Sequence, residues 1–158
     1  MGCGKTTVGK TLAQKLGYEF VDLDELIVKT EGRTIPEIFA QNGEGYFRDV
    51  ESRLMTELNG RTVAALGGGA VLKKENAEAA KRSGVIVFID TDFERCYSRI
   101  CGDKNRPLAS NADSAELLER FNSRYPIYKA ACDISVSGNM PPKIIADNII
   151  ARLKQPTQ

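Results

Sequence analysis

Apolar residues recur at helical spacing from the start of the chain. Val8, Leu12 and Leu16 share one face of a helix over residues 5–16, and Gly17 supplies its stop. Residues 18–22 read as a short strand. Residues 24–29 and 35–41 look helical, the second opened by the capping box Thr34-x-x-Glu37 with Pro36 in its first turn. Residues 44–58 form an amphipathic helix through Phe47, Val50, Leu54 and Leu58. Residues 62–66 and 85–89 are short apolar runs rich in β-branched side chains, the pattern of strands buried on both faces, with a helix over 74–82 between them. A helix over 93–101, a polar stretch over 102–113, a helix over 114–131, a strand over 133–136 and a helix over 142–154 complete the chain. That alternation predicts an α/β fold with a parallel sheet.

Length and composition narrow the picture. With 158 residues and 42% apolar content, the chain fits one globular domain. Lys and Arg number 22 against 21 Asp and Glu, which gives no footprint for nucleic acid or a membrane surface. Small-molecule partners and a monomer are expected. Cys3, Cys96, Cys101 and Cys132 lack C-x-x-C spacing and there is no histidine, which excludes a structural zinc site and a His-based catalytic triad. No secretory apolar segment is present, so a reducing, cytoplasmic location is expected, with a plastid location after removal of a transit peptide as the alternative.

The opening residues carry the first chemistry. Gly2-Cys3-Gly4-Lys5-Thr6-Thr7 form the back half of a G-x-x-x-x-G-K-[ST] phosphate loop. In that reading, backbone N–H groups near Gly4 face phosphates, Lys5 neutralises their charge and the Thr6 hydroxyl ligates Mg²⁺. The competing reading is a Gly-rich tail before a surface helix. Met1-Gly2 with Thr6 also fits a myristoylation pattern, but no polybasic patch follows to complete a membrane anchor.

Further along, Asp22 and Asp24 end a predicted strand, where they serve either a metal and a hydroxyl group or a helix cap. Gly67-Gly68-Gly69 ends the next strand, as a plain turn or as a place where backbone approaches a ligand closely. Arg48 lies on a helix that also carries core residues, and either clamps a carboxylate or pairs with a neighbouring acid.

Taken in order, G-K-T-T, V-D-L-D, F-R-D-V-E, G-G-G-A-V, D-K-N-R-P-L and S-R-Y-P-I-Y resemble the shikimate kinase family from Met1 to about Leu153. The resemblance implies a three-layer fold on a parallel sheet of the nucleoside-monophosphate-kinase type and transfer of the ATP γ-phosphoryl group to the 3-hydroxyl of shikimate. It further implies one kinase domain over 1–158, with substrate helices at about 24–58 and a lid at about 102–114.

By the same resemblance, Lys5 and Thr6 match the phosphate lysine and the magnesium ligand, and Asp22 matches a carboxylate that helps hold the metal through water. Asp24 matches the carboxylate that orients the attacking hydroxyl. Arg48 and Arg124 match the arginines that grip the substrate carboxylate, Gly68 lies in the turn that contacts substrate, and Phe39 and Phe47 match apolar walls of the pocket. Glu51 matches an acid that positions Arg48. Arg106 matches a lid arginine over the transferring group, while Arg99 and the stretch containing Asn139 and Pro141 match the two sides of the adenine.

In the family, a strand before the phosphate loop is central in the sheet, between the strands that correspond to residues 62–66 and 85–89 here. Strands left without it lose ladder partners at ~1 to 3 kcal/mol for each buried group. A truncated start, or another segment in that position, is therefore expected.

Overall fold

The computed structural model describes residues 2–58, 60–101 and 114–154. Helix α1 (Lys5–Leu16) ends as its sequence predicts: Gly17 takes the left-handed conformation, and the N–H groups of Gly17 and Tyr18 donate to the carbonyls of Gln14 and Ala13. Strand β1 (Glu19–Asp22) then passes directly into α2 (Leu23–Glu31). The switch is made by Asp22, whose carboxylate accepts the Asp24 N–H at 3.2 Å as the N-cap.

Helix α3 (Ile35–Glu57) starts at the predicted capping box, with the Thr34 N–H donating to Glu37 and the Glu37 N–H to Thr34. The two predicted helices over 35–41 and 44–58 are the two halves of this element, which meet at a kink. The helix is interrupted only at Gly43, where φ 80° and ψ 173° lie in a region open essentially to glycine alone. Strand β2 (Thr62–Ala65) leads through the glycine turn and a short 3₁₀ segment (Ala70–Leu72) into α4 (Lys74–Ser83). Strand β3 (Val87–Asp90), α5 (Phe93–Cys101), α6 (Ser114–Ala131), β4 (Ile134–Ser137) and α7 (Pro142–Leu153) follow.

All strand pairing is parallel, β1 on β2 from Glu19↔Thr62 to Asp22↔Ala65 and β3 on β4 from Val87↔Ile134 to Asp90↔Ser137. Among the described residues the four strands form two two-stranded pairs, with no ladder between β2 and β3. A common core ties the pairs together: Val63, Val87, Ile89, Ile134 and Val136 pack with Val8 and Leu12 of α1 and Ile145, Ala146 and Ile149 of α7. A second core joins Leu23 and Ile27 of α2 to Ile38, Phe47, Val50, Leu54 and Met55 of α3. This second core fixes α3 beside the glycine turn, because Ala70, the residue after the turn, is wholly buried within it. No described helix is long and apolar enough to cross a membrane.

The break in α3 yields a paired test. Gly43→Ala is expected to lower the unfolding free energy by ~1 to 3 kcal/mol, because alanine does not tolerate that backbone conformation. Gly45→Ala lies in the same helix, where an added Cβ meets nothing within 4 Å. It is expected to be neutral or stabilising by up to ~1 kcal/mol. Urea unfolding of both variants checks the contrast.

Candidate active site

The C-terminal ends of β1 and β2 and the start of α1 meet at one place. Gly4 caps α1 in the left-handed conformation (φ 89°), and no side chain caps the helix. The first-turn N–H groups are thus left to a ligand or solvent, the arrangement that favours an anion. Lys5 is half-buried at the first position of the helix and Thr6 follows it. The Thr6 hydroxyl donates to Asp22 Oδ2 at 2.9 Å, so the helix start and the strand end are joined through these two oxygen groups. Thr7 is exposed, and its carbonyl accepts the Thr11 hydroxyl. On the other side of the loop, Arg99 of α5 donates to the Gly2 carbonyl at 3.1 Å and reaches the open side of Gly4.

A second convergence surrounds Gly67–Gly69. A Cβ on Gly67 would lie 2.8 Å from Asp24 Oδ1 and 2.8 Å from Glu51 Oε1, and one on Gly69 would collide with the Arg48 guanidinium. The Gly68 carbonyl accepts the Tyr128 hydroxyl at 2.5 Å and Arg124 Nη1 at 3.4 Å. Side chains from α2, α3 and α6 therefore close on one stretch of backbone, and those of α2 and α3 leave no room for a Cβ at Gly67 and Gly69.

Arg48 is held by its own helix, donating to Glu51 Oε2 at 2.8 Å and to Glu44 Oε1 at 3.0 Å. Burial works against its charge, and the hydrogen bonds it donates to Glu51 and Glu44 more than offset that, so its pKa moves up. Glu51 is 1% exposed, and its Oε1 has no hydrogen-bond partner among the described residues. Burial raises the Glu51 pKa and Arg48 opposes the shift, with burial prevailing. Burial likewise raises the Tyr128 pKa, which keeps the phenol a donor to Gly68.

Phe47 is buried and Phe39 borders solvent, their rings 4.9 Å apart, with the Arg48 guanidinium 5.1 Å from the Phe47 ring centre. An open depression lined by Asp24, Val28 and Ile35 lies beside α2, and another lined by Cys96, Ile100, Arg124 and Tyr128 lies between α5 and α6.

The predicted residues separate accordingly. Thr6, Asp22, Asp24, Phe47, Arg48, Gly67, Gly68, Gly69 and Arg124 join in one contact network, and Gly2, Gly4 and Arg99 in a neighbouring one. Asn139 donates to Asp92 at 2.7 Å and accepts Arg95 of α5 at its carbonyl, while Pro141 caps α7. Arg106 and the proposed lid over 102–113 lie outside the described residues. Cys3, Cys96 and Cys132 are free thiols.

Two participants went unnoticed in the sequence. Tyr128 lies four residues after Arg124, hence on the same helix face, and that spacing was the available signal. Glu44 holds the same relation to Arg48.

A parallel α/β frame with a Gly-Lys-Thr helix start places the chain among the P-loop kinases. Within that class it belongs to the shikimate kinase family, whose family model matches residues 1–154. It is 41% identical to the shikimate kinase of Persephonella marina, over 98% of this chain and 94% of that one. It is similar in structure to the shikimate kinase of Acinetobacter baumannii in complex with shikimate, at a TM-score of 0.88 and 36% identity, covering 97% of this chain and 88% of the other. The shikimate kinase of Aquifex aeolicus gives a TM-score of 0.85 at 35% identity, covering 98% and 92%.

The Gly68 carbonyl provides a test of how α6 is docked. Tyr128→Phe removes one of its donors and is expected to cost ~0.5 to 1.5 kcal/mol of stability, read by denaturant unfolding.

Proposed function

We propose that the chain transfers the γ-phosphoryl group of ATP to the 3-hydroxyl of shikimate. The observation that carries this reading is the glycine turn on which Asp24, Arg48 and Arg124 converge from three helices. A carboxylated polyol needs two things of a site: cations for its carboxylate and an acceptor for its reacting hydroxyl. Arg48 and Arg124 supply the first and Asp24 the second. Phe39 and Phe47 cover the apolar part of the ring.

The nucleotide end fits the same reading. The uncapped start of α1 and Lys5 suit the phosphates, and Arg99 closes the loop from α5. Thr6 and Asp22 form a hydroxyl–carboxylate pair of hard oxygen donors, the set Mg²⁺ takes when it keeps most of its waters. Thr6 would hold the ion directly and Asp22 through water, and the ion when bound would neutralise phosphate charge.

The protein's own contribution is positional. Arg48 and Arg124 fix the substrate at its carboxylate, Asp24 orients the hydroxyl and accepts its proton, and Lys5 stabilises negative charge on the transferring group. Arg106, in the proposed lid over 102–114, would add a cation on closure and exclude water.

The deciding assay is ADP release with shikimate against gluconate and nucleoside monophosphates. Release with shikimate alone is expected, and release with gluconate or a nucleoside monophosphate instead would assign another kinase of this fold. No release with any acceptor would assign a ligand-binding relative without turnover.

Asp24→Asn is expected to lower turnover by ~100-fold or more, with nucleotide affinity little changed. Near-normal turnover would remove Asp24 from this role. Arg48→Ala is expected to weaken shikimate binding by ~2 to 5 kcal/mol while sparing ATP, as separate titrations of the folded variant would show.

A further inference from the structure

Helix α5 meets two loops along one face. At its start, the Asp92 carboxylate accepts the Asn139 side-chain N–H at 2.7 Å, and Arg95 donates to the Asn139 carbonyl at 3.1 Å. One residue of the β4–α7 connection is thus held by side chain and backbone together. One turn further along, Arg99 donates to the Gly2 carbonyl of the phosphate loop at 3.1 Å, and a Cβ on Gly2 would collide with the Cys96 carbonyl. Residues 92, 95 and 99 follow the i, i+3, i+7 spacing of a single helix face.

The β4–α7 connection is anchored on either side of Asn139. Gly138 donates to the Asp90 carbonyl at 2.6 Å and packs so closely on the buried Thr91 that a Cβ would collide with its hydroxyl. The Pro141 carbonyl accepts the N–H groups of Ile144 and Ile145 at the start of α7. Asn139 lies exposed between these anchors, and among the described residues its hydrogen-bond partners from other elements are both at the start of α5. Each bond is screened by solvent and modest alone. Acting on two different groups of one residue, the two bonds fix its orientation as well as its distance.

We propose that Asp92 and Arg95 are positioning residues for the base of the nucleotide. By tying Asn139 to the helix that also carries Arg99, they set the gap between the two sides of the base and its distance from the phosphate loop. A helical rise of about 6 Å separates Arg95 from Arg99, and a helix transmits that spacing rigidly. They act through Asn139 and not on the nucleotide itself. The inference rests on the nucleotide half of the kinase reading, in which Arg99 and the stretch containing Asn139 and Pro141 flank the base.

The test separates the base from the phosphates. Calorimetric titrations of the 158-residue chain with Mg-ATP, and with magnesium tripolyphosphate, which has phosphates but no base, read the two ends independently. Asp92→Ala and Arg95→Met are each expected to weaken Mg-ATP binding ~3- to 10-fold and to leave tripolyphosphate binding unchanged. Asp92→Asn loses the same charge as Asp92→Ala but keeps an oxygen acceptor for Asn139, and is expected to bind Mg-ATP nearly as wild type does. In the kinase assay the two weakened variants are expected to raise KM for ATP, with kcat and KM for shikimate little changed.

Wild-type Mg-ATP affinity in folded Asp92→Ala and Arg95→Met overturns the proposal. Equal weakening towards tripolyphosphate also overturns it, since the contacts would then support the fold at large. So does an Asp92→Asn variant as weak as Asp92→Ala, which would assign the effect to charge. A wild type that binds Mg-ATP no more tightly than tripolyphosphate overturns the base site and the proposal with it. A wild type that binds Mg-ATP but releases no ADP with shikimate overturns the kinase reading alone, and the titrations still decide the role of Asp92 and Arg95.

Discussion

Two helices, α2 and α3, approach one glycine turn more closely than a β-carbon permits, and the arrangement of the site depends on that constraint. Asp24, Glu51 and Arg48 occupy the space that side chains at Gly67 and Gly69 would fill. The Gly68 carbonyl points the other way and anchors Arg124 and Tyr128. Because the turn follows directly from β2, these side chains are referenced to a strand rather than to a free loop. The adjoining core then holds α2 and α3 against the turn through Leu23, Ile27, Ile38 and Phe47. Packing and chemistry share the same residues here: Phe47 is a core side chain whose ring also lies beside the Arg48 guanidinium.

Electrostatics near the turn are shaped by burial more than by charge count. Arg48 faces two acids on its own helix, yet one of them, Glu44, borders solvent and the other is enclosed. Water screens the first pair, while the second operates where screening is weak. The pull on Arg48 is therefore uneven, and the enclosed partner decides how much of its charge is offered outward.

Much of this was legible in local sequence, and the remainder was not for physical reasons. The capping box at Thr34, the stop at Gly17 and the Gly-Lys-Thr helix start depend on neighbours within a few residues, so the chain displays them directly. The break in α3 showed too, because apolar periodicity loses its phase at Gly43 and reads as two helices. The pairing of the strands was not in the apolar runs, which reveal burial but not which edges hydrogen-bond, and only the family resemblance put a further strand between β2 and β3. The Glu51 environment was the least accessible. Its burial comes from α2, α3 and the glycine turn at once, and no spacing within one segment encodes a three-way contact.

The break at Gly43 has a consequence for how this chain can vary. In an unbroken α-helix an inserted residue rotates everything downstream by about 100°, which would turn Arg48 and Glu51 away from the glycine turn. At Gly43 the helical phase is already reset, so the segment from Thr34 to the break and the segment bearing Arg48 are azimuthally independent. Length changes between Ile38 and Gly43 can be absorbed at that joint without disturbing the orientation of the residues beyond it. The same joint leaves the exposed positions of the capped half free to vary, while Ile38 and Phe39 stay tied to Phe47 in the half that faces the turn.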